Sequence, residues 1–138
     1  MRISQRLDYA LRAAVLLAGR PKGAYVAGGE IAARLGVPQR VVEQQLSLLA
    51  REGLLVSRRG AGGGHRLARP ASQISVADIV SAIEGTVLDV PHVSGSAVSE
   101  FWLDTHEAVG AYLSGHTLAM LAHRQAEMDS AAALLYYI

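Results

Sequence analysis

The sequence predicts a mainly α-helical fold carrying one small β-hairpin. Three observations lead there. Apolar residues recur at helical spacing over most of the chain, two short helical stretches meet at a tight glycine-containing turn, and a glycine run separates two strand-like segments within residues 54–69. The 138 residues include no cysteine; 51% are hydrophobic and 18% charged. A chain of this size holds one core without staples and is too apolar to be disordered. The absence of cysteine excludes disulfides, thiolate zinc sites and a cysteine nucleophile.

Each element has a local cause. Ser4 precedes a first helix whose Leu7, Leu11, Ala14, Val15 and Ala18 form one apolar stripe, with Asp8 and Arg12 a favourable i, i+4 pair. Residues 19–23 are a loop, and Tyr25–Ala27 is a candidate short strand. A second helix over about 29–35 stops at Gly36. Pro38 opens the third as its first residue; it runs to Glu52, burying Val42, Leu46, Leu49 and Ala50 and pointing Gln39, Arg40, Glu43, Gln44 and Ser47 elsewhere. This pair is a helix-turn-helix signal. Strands at 54–59 and 65–69 flank a turn at Gly60–Gly64, with Arg58, Arg59, Arg66 and Arg69 around it.

Ser75 and Asp78 resemble a capping box opening a fourth helix, with Val76, Ile79, Val80 and Ile83 inward and Gly85 as its stop. Residues 86–96 read as an extended loop. A longer helix from Ala97 carries Val98, Phe101, Trp102, Thr105, Val109 and Tyr112. It breaks at Ser114–Thr117, and a last helix runs from Leu118 to about Met128, ahead of a small apolar tail, Ser130–Ile138. The expected organisation is a winged helix-turn-helix DNA-binding domain over 1–85, then a linker, a long dimerisation helix and a C-terminal helix over 86–138. The stripe holding Phe101 and Trp102 fits either a core contact or a seam between two chains.

The net charge of +1 conceals an asymmetry. Residues 1–70 hold eleven Arg and one Lys against four acids, a net +8; the remainder holds one Arg against eight acids, a net −7. A basic half joined to an acidic half suggests a polyanion-binding part and a part with another task. The first nineteen residues lack the uninterrupted apolar run of a signal peptide, being broken by Asp8 and Arg12, and no stretch of 18 apolar residues occurs. A soluble, cytoplasmic protein with no membrane partner is expected.

Three chemistry-bearing patterns fail. Gly60–Gly64 has His65 where a dinucleotide fingerprint needs its third glycine, and no glycine–lysine phosphate loop exists. His106-Glu107 lacks the second histidine of a zinc-protease helix, since Gly110 stands there. His116 and His123 are two helical turns apart, too far to share an ion within one chain. Asp104, Glu107, Glu127 and Asp129 read as a solvated acidic face. No catalytic residue, metal site or cofactor is expected. An arginine-flanked hairpin tip suits the DNA minor groove, where negative potential concentrates.

Asp8–Arg12, Glu30-Ile31-Ala32, Val41–Gln44, Arg59–His65 and Asp78–Gly85 together resemble the IscR/NsrR/CymR-type family of bacterial winged-helix transcription regulators, over roughly residues 1–123. The resemblance implies a homodimer packed through the helix near 97–113, a recognition helix at 38–52 and a wing at 54–69. It implies base reading by Glu43 and Gln44 and minor-groove entry by Arg59. The candidate DNA-contact set is therefore Gln39, Arg40, Glu43, Gln44, Arg58, Arg59, Gly60 and Arg66. His65 stands where the family usually has tyrosine. Cluster-binding members carry three cysteines in a longer loop at 86–99; here His92 and Ser96 fall near two of those places. The chain is thus expected to be a cluster-free DNA-binding regulator, a repressor, acting as a homodimer on palindromic duplex DNA. His92, Phe101, Trp102 and His106 form a candidate pocket for a small-molecule effector; a protein effector is the other option. The alternatives are a winged-helix adaptor for protein partners and a metalloprotein using His92, His106, His116 or His123.

Overall fold

Helix α1 (Gln5–Ala18) runs through the centre of the helical body in the computed structural model, which describes residues 1–137. Ser4 caps it by accepting from the Leu7 N–H at 3.2 Å. Around it pack α2 (Gly28–Leu35), α3 (Gln39–Arg51), α4 (Val76–Glu84) and the start of α6 (Leu118–Tyr136). The buried side of α1 is Leu7, Ala10, Ala13, Ala14 and Leu17, one step round from the predicted stripe; Leu11, Val15 and Ala18 are only half-buried. Periodicity alone picks one stripe, but a helix touched by four others buries more than one. The three alanines let those neighbours approach closely.

The core is continuous. Ile31, Leu46, Leu49, Ile74, Ile79 and Leu118 are fully buried in one cluster. Leu118 arrives from the C-terminal segment because α6 starts beside α4: the Val76 N–H donates to the His116 carbonyl (2.8 Å) and the Leu118 N–H to the Ile74 carbonyl (2.9 Å). The predicted cap at Ser75 is formed with its reciprocal Asp78 bond, and Thr117, at the end of the predicted break, caps α6. Pro38 is the cap residue of α3 rather than its first helical residue, and Gln45 joins its buried face while Ala50 is half-buried. Gly36 stops α2 in the left-handed conformation, φ 70°. At the outer end of the body, Arg6 (3.0 Å) and Ser4 both bond Glu84; the Arg6 bond chiefly holds that carboxyl below the usual range.

The hairpin is β1 (Leu55–Arg58) against β2 (Gly64–Leu67), in register Leu55–Leu67, Val56–Arg66, Ser57–His65 and Arg58–Gly64. Both strands are shorter than predicted: Arg59 joins a five-residue loop at 59–63, Gly64 enters β2, and Leu54, Ala68 and Arg69 fall outside the pairing. The expected strand at Tyr25–Ala27 is reduced to one pair: the Val26 N–H donates to the His65 carbonyl (2.9 Å) and the His65 N–H to the Val26 carbonyl (2.8 Å).

The last two helices lie against this body. Helix α5 (Ala97–Ser114) has one buried residue, Ser99, and exposes Val98, Phe101 and Tyr112 by 65, 62 and 68%. Helix α6 continues to Tyr136 instead of ending near Met128. Ala131–Leu135 are strong helix formers with no glycine or proline to stop them, so the predicted tail is helical through Tyr136; Ile138 lies outside the described residues. Among the described residues no helix is long and apolar enough to cross a membrane.

Gly64 is where the hairpin meets the Val26 strand pair. Its φ is 135°, and a Cβ there would overlap the Val26 carbonyl; at Gly60, φ 91°, nothing lies near. Gly64→Ala should therefore cost more stability than Gly60→Ala, by roughly 1–3 kcal/mol beyond the shared backbone strain. Chemical denaturation of the two variants checks this; equal losses would show that the close approach does not matter.

Candidate nucleic-acid interface

The outward ridge of α3 is Arg40, Gln44 and Ser47, all exposed, because Val42, Gln45, Leu46 and Leu49 occupy the opposite face. Three and four residues apart, they follow one line along the helix. Gln39 and Glu43 sit one step round, toward α2. The Gln39 side-chain oxygen lies so close to Gly29 that a Cβ there would be 3.3 Å away, and its amide donates to Glu43 Oε1 at 3.5 Å. Glu43 is half-buried, its carboxylate pressed against Gly28, where a Cβ would collide with it.

The wing divides its residues by strand alternation. On the face toward the body, Leu55 and Leu67 pack inward and Ser57 pairs with His65. His65 is buried, with Nδ1 2.8 Å from Ser57 Oγ and Nε2 3.3 Å from Glu43 Oε2. On the other face Arg58 and Arg66 stack over the Tyr25 ring, 4.4 and 5.1 Å from its centre. Arg58 also donates to the Gly62 carbonyl (3.0 Å), bracing the turn. Arg66 is half-buried, and its Nε has no hydrogen-bond partner among the described residues. Arg59 and Gly60 are exposed at the tip.

Glu43, Arg58, Arg59 and Gly60 thus line one groove between α3 and the wing, together with Ser47 and His65. Arg40 and Gln44 are on the exposed ridge of α3, and Arg66 is on the outer wing face. The predicted set is one continuous surface, but its members differ in freedom: Arg40, Gln44 and Arg59 are exposed, whereas Glu43, Arg58 and Arg66 are engaged within the chain. Sequence reasoning missed Tyr25 and the links of His65. The Ser57–His65 pairing follows from a five-residue loop at 59–63; the expected turn at 60–64 has the same length but would pair Arg59 with His65. The Tyr25 contact depends on the isolated Val26–His65 pair, which no local pattern announces.

The second candidate set does not converge. His92 lines a shallow groove with Val93, Ser96, Ser99 and Leu103, and neither Phe101, Trp102 nor His106 borders it. His106 Nδ1 instead accepts from the Leu88 N–H (3.2 Å), pinning the loop to α5. Phe101 and Trp102 meet edge to face, 5.4 Å between centres, on the exposed side of α5. They are adjacent in sequence and share a helix, so they project in different directions from α5 rather than side by side.

Comparison with known proteins agrees with this architecture. A protein of Mycobacterium tuberculosis named as an HTH-type transcriptional regulator is 34% identical over 131 residues, covering 88% of this chain and 81% of the relative. The HTH-type transcriptional regulator IscR of Cronobacter sakazakii is 29% identical over 138 residues, covering 94% and 85%. Among solved structures, CymR, the global cysteine regulator of B. subtilis, superposes with a TM-score of 0.81 at 29% identity, covering 90% of this chain and 98% of that one. IscR of T. potens gives 0.78 at 30% identity, covering 91% and 88%. The family model for Rrf2, described as an iron-dependent transcriptional regulator, matches residues 3–124, and the chain belongs to that family.

Proposed function

We propose that two copies of this DNA-binding transcription regulator pair through α5 and repress from a palindromic operator in the cytoplasm. The relatives it matches are regulators, not enzymes. The observation that carries the detailed reading is the exposed Arg40–Gln44–Ser47 ridge beside an exposed Arg59 tip, all within the basic half of the chain. A helix ridge of that width enters the major groove, where Gln44 can pair with adenine; the Arg59 tip reaches the adjacent minor groove. Two-fold pairing places the half-sites about one helical turn apart.

Selection from random duplexes should enrich a palindrome, with affinity falling steeply as salt rises because several phosphates are neutralised. Gln44→Ala should cost roughly 1–3 kcal/mol at that site and relax one position, while Arg40→Ala weakens all sequences alike. Recovery of no enriched palindrome would contradict this, and equal losses on cognate and random DNA would end the division of roles.

Pairing through α5 follows from its uncovered Val98, Phe101 and Tyr112. Val98→Glu with Phe101→Glu should yield monomers in sedimentation and lose palindrome binding while keeping the helical signal of the fold. A dimer surviving both charges would place the seam elsewhere.

The residues present do not fit an iron–sulfur cluster of the kind the resemblance assigns to cluster-binding members. Clusters rest on thiolates, and the chain has no cysteine. Among the described residues no three His, Asp or Glu gather as a metal site, and His106 is spent on the Leu88 N–H. Anaerobic reconstitution should leave the protein colourless and its operator affinity unchanged; stoichiometric iron and sulfide would refute this.

A further inference from the structure

Glu43 is the acidic side chain of the groove that Arg58 and Arg59 border. Three elements hold it: the Gln39 amide from its own helix (3.5 Å), the Gly28 backbone of α2, which leaves no room for a Cβ, and His65 Nε2 from the wing (3.3 Å). The imidazole is fixed at its other nitrogen by Ser57 Oγ at 2.8 Å. A serine hydroxyl donates or accepts as required, so Nε2 can keep its proton and donate to Glu43 whether the ring is neutral or charged. The charged groups around the ring are Glu43 from α3, Arg58 from β1 and Arg59 from the wing loop; the start of α2 and the residue before it offer only Gly28 and Ala27.

Placed opposite phosphates, an unpartnered carboxylate is repelled. Beyond the long Gln39 contact at Oε1, it has two ways to be satisfied: the imidazole, or the amino group of a cytosine. We infer that His65 is a positioning residue that competes with a base for Glu43, so that its charge sets selectivity at the base pair facing Glu43. This rests on the DNA-binding reading above. A protonated ring grips the carboxylate more strongly, keeps it in the clasp and lowers discrimination at that pair. A neutral ring releases it more readily and raises discrimination.

The test uses the full chain and the duplex recovered by selection. Each base pair is varied in turn to find the one whose preference vanishes in Glu43→Gln. The readout is the ratio of affinities for the best and worst base there. A ratio is needed because an imidazolium attracts every duplex equally. In the unmutated protein the ratio should rise about two- to fivefold between pH 6 and pH 8, the size being that of one modest ion-pair contact. His65→Gln keeps a neutral donor and should give a flat profile at the high value. His65→Tyr should also be flat, and thermal melting verifies that both variants fold. Without DNA, Glu43→Gln should move the imidazole resonances of His65 and leave those of His92 in place.

A ratio that does not change with pH in the unmutated protein, an unaltered profile in folded His65→Gln, or the absence of any base pair dependent on Glu43 would each overturn the proposal. In those cases selection still yields a preferred duplex, so DNA recognition stands. Failure to select any duplex removes that recognition and the proposal with it, while the imidazole signals then report whether the clasp exists in the free chain.

Discussion

Two backbone hydrogen bonds between Val26 and His65 decide where the wing stands. A two-stranded hairpin alone is marginal in water. Here its inner strand is stitched to the segment that leads into α2, so hairpin and helix pair move as one piece. The stitch requires the backbones to touch, which is why a residue without a side chain sits at 64. Everything the interface needs follows from that contact: the groove beside α3, the reach of His65 to Glu43, and the placement of Tyr25 under Arg58 and Arg66.

The same contact sorts the arginines. Those of the outer wing face stack on Tyr25 and brace the turn, so they are held in place and present a preformed positive surface. Arg59, one residue beyond the strand, escapes both constraints and is exposed at the tip. Held and free arginines are divided by one step along the chain, from the end of β1 into the loop. Electrostatics strengthens the division, because the acidic residues lie largely in the other half of the chain, away from a polyanion.

What could be read beforehand was what short-range chemistry dictates. Ser4, Ser75 and Thr117 cap helices because their hydroxyls satisfy N–H groups that have no helical partner, and Gly36 ends one because its left-handed conformation suits no other residue so well. The glycine hairpin and its arginines were legible for the same reason. The stripe of α1 was misplaced by one residue, since its burial is decided by several distant helices rather than by its own period. The end of α6 was missed because an exposed, alanine-rich run carries no apolar periodicity to extend. At the interface, residue identities were legible but their engagement was not: that His65 grips Glu43 depends on three segments brought together by tertiary contact.

The C-terminal helices show why such a fold needs more than its own core. Helix α5 is held by a few polar fasteners, with Ser99 accepting from the Val93 N–H (2.9 Å) and His106 accepting from Leu88. Its apolar residues contribute little to the core of the body, and helix propensity alone does not order eighteen residues with so many aromatic and β-branched side chains. Those fasteners tie the loop after α4 to α5, and α4 in turn is bonded at its first residue to the turn before α6. A second chain covering α5 would therefore act on a helix already tied to both ends of the DNA-binding body. The loop over 86–96 carries those bonds, so the placement of α5 depends on how that loop is fastened more than on apolar burial.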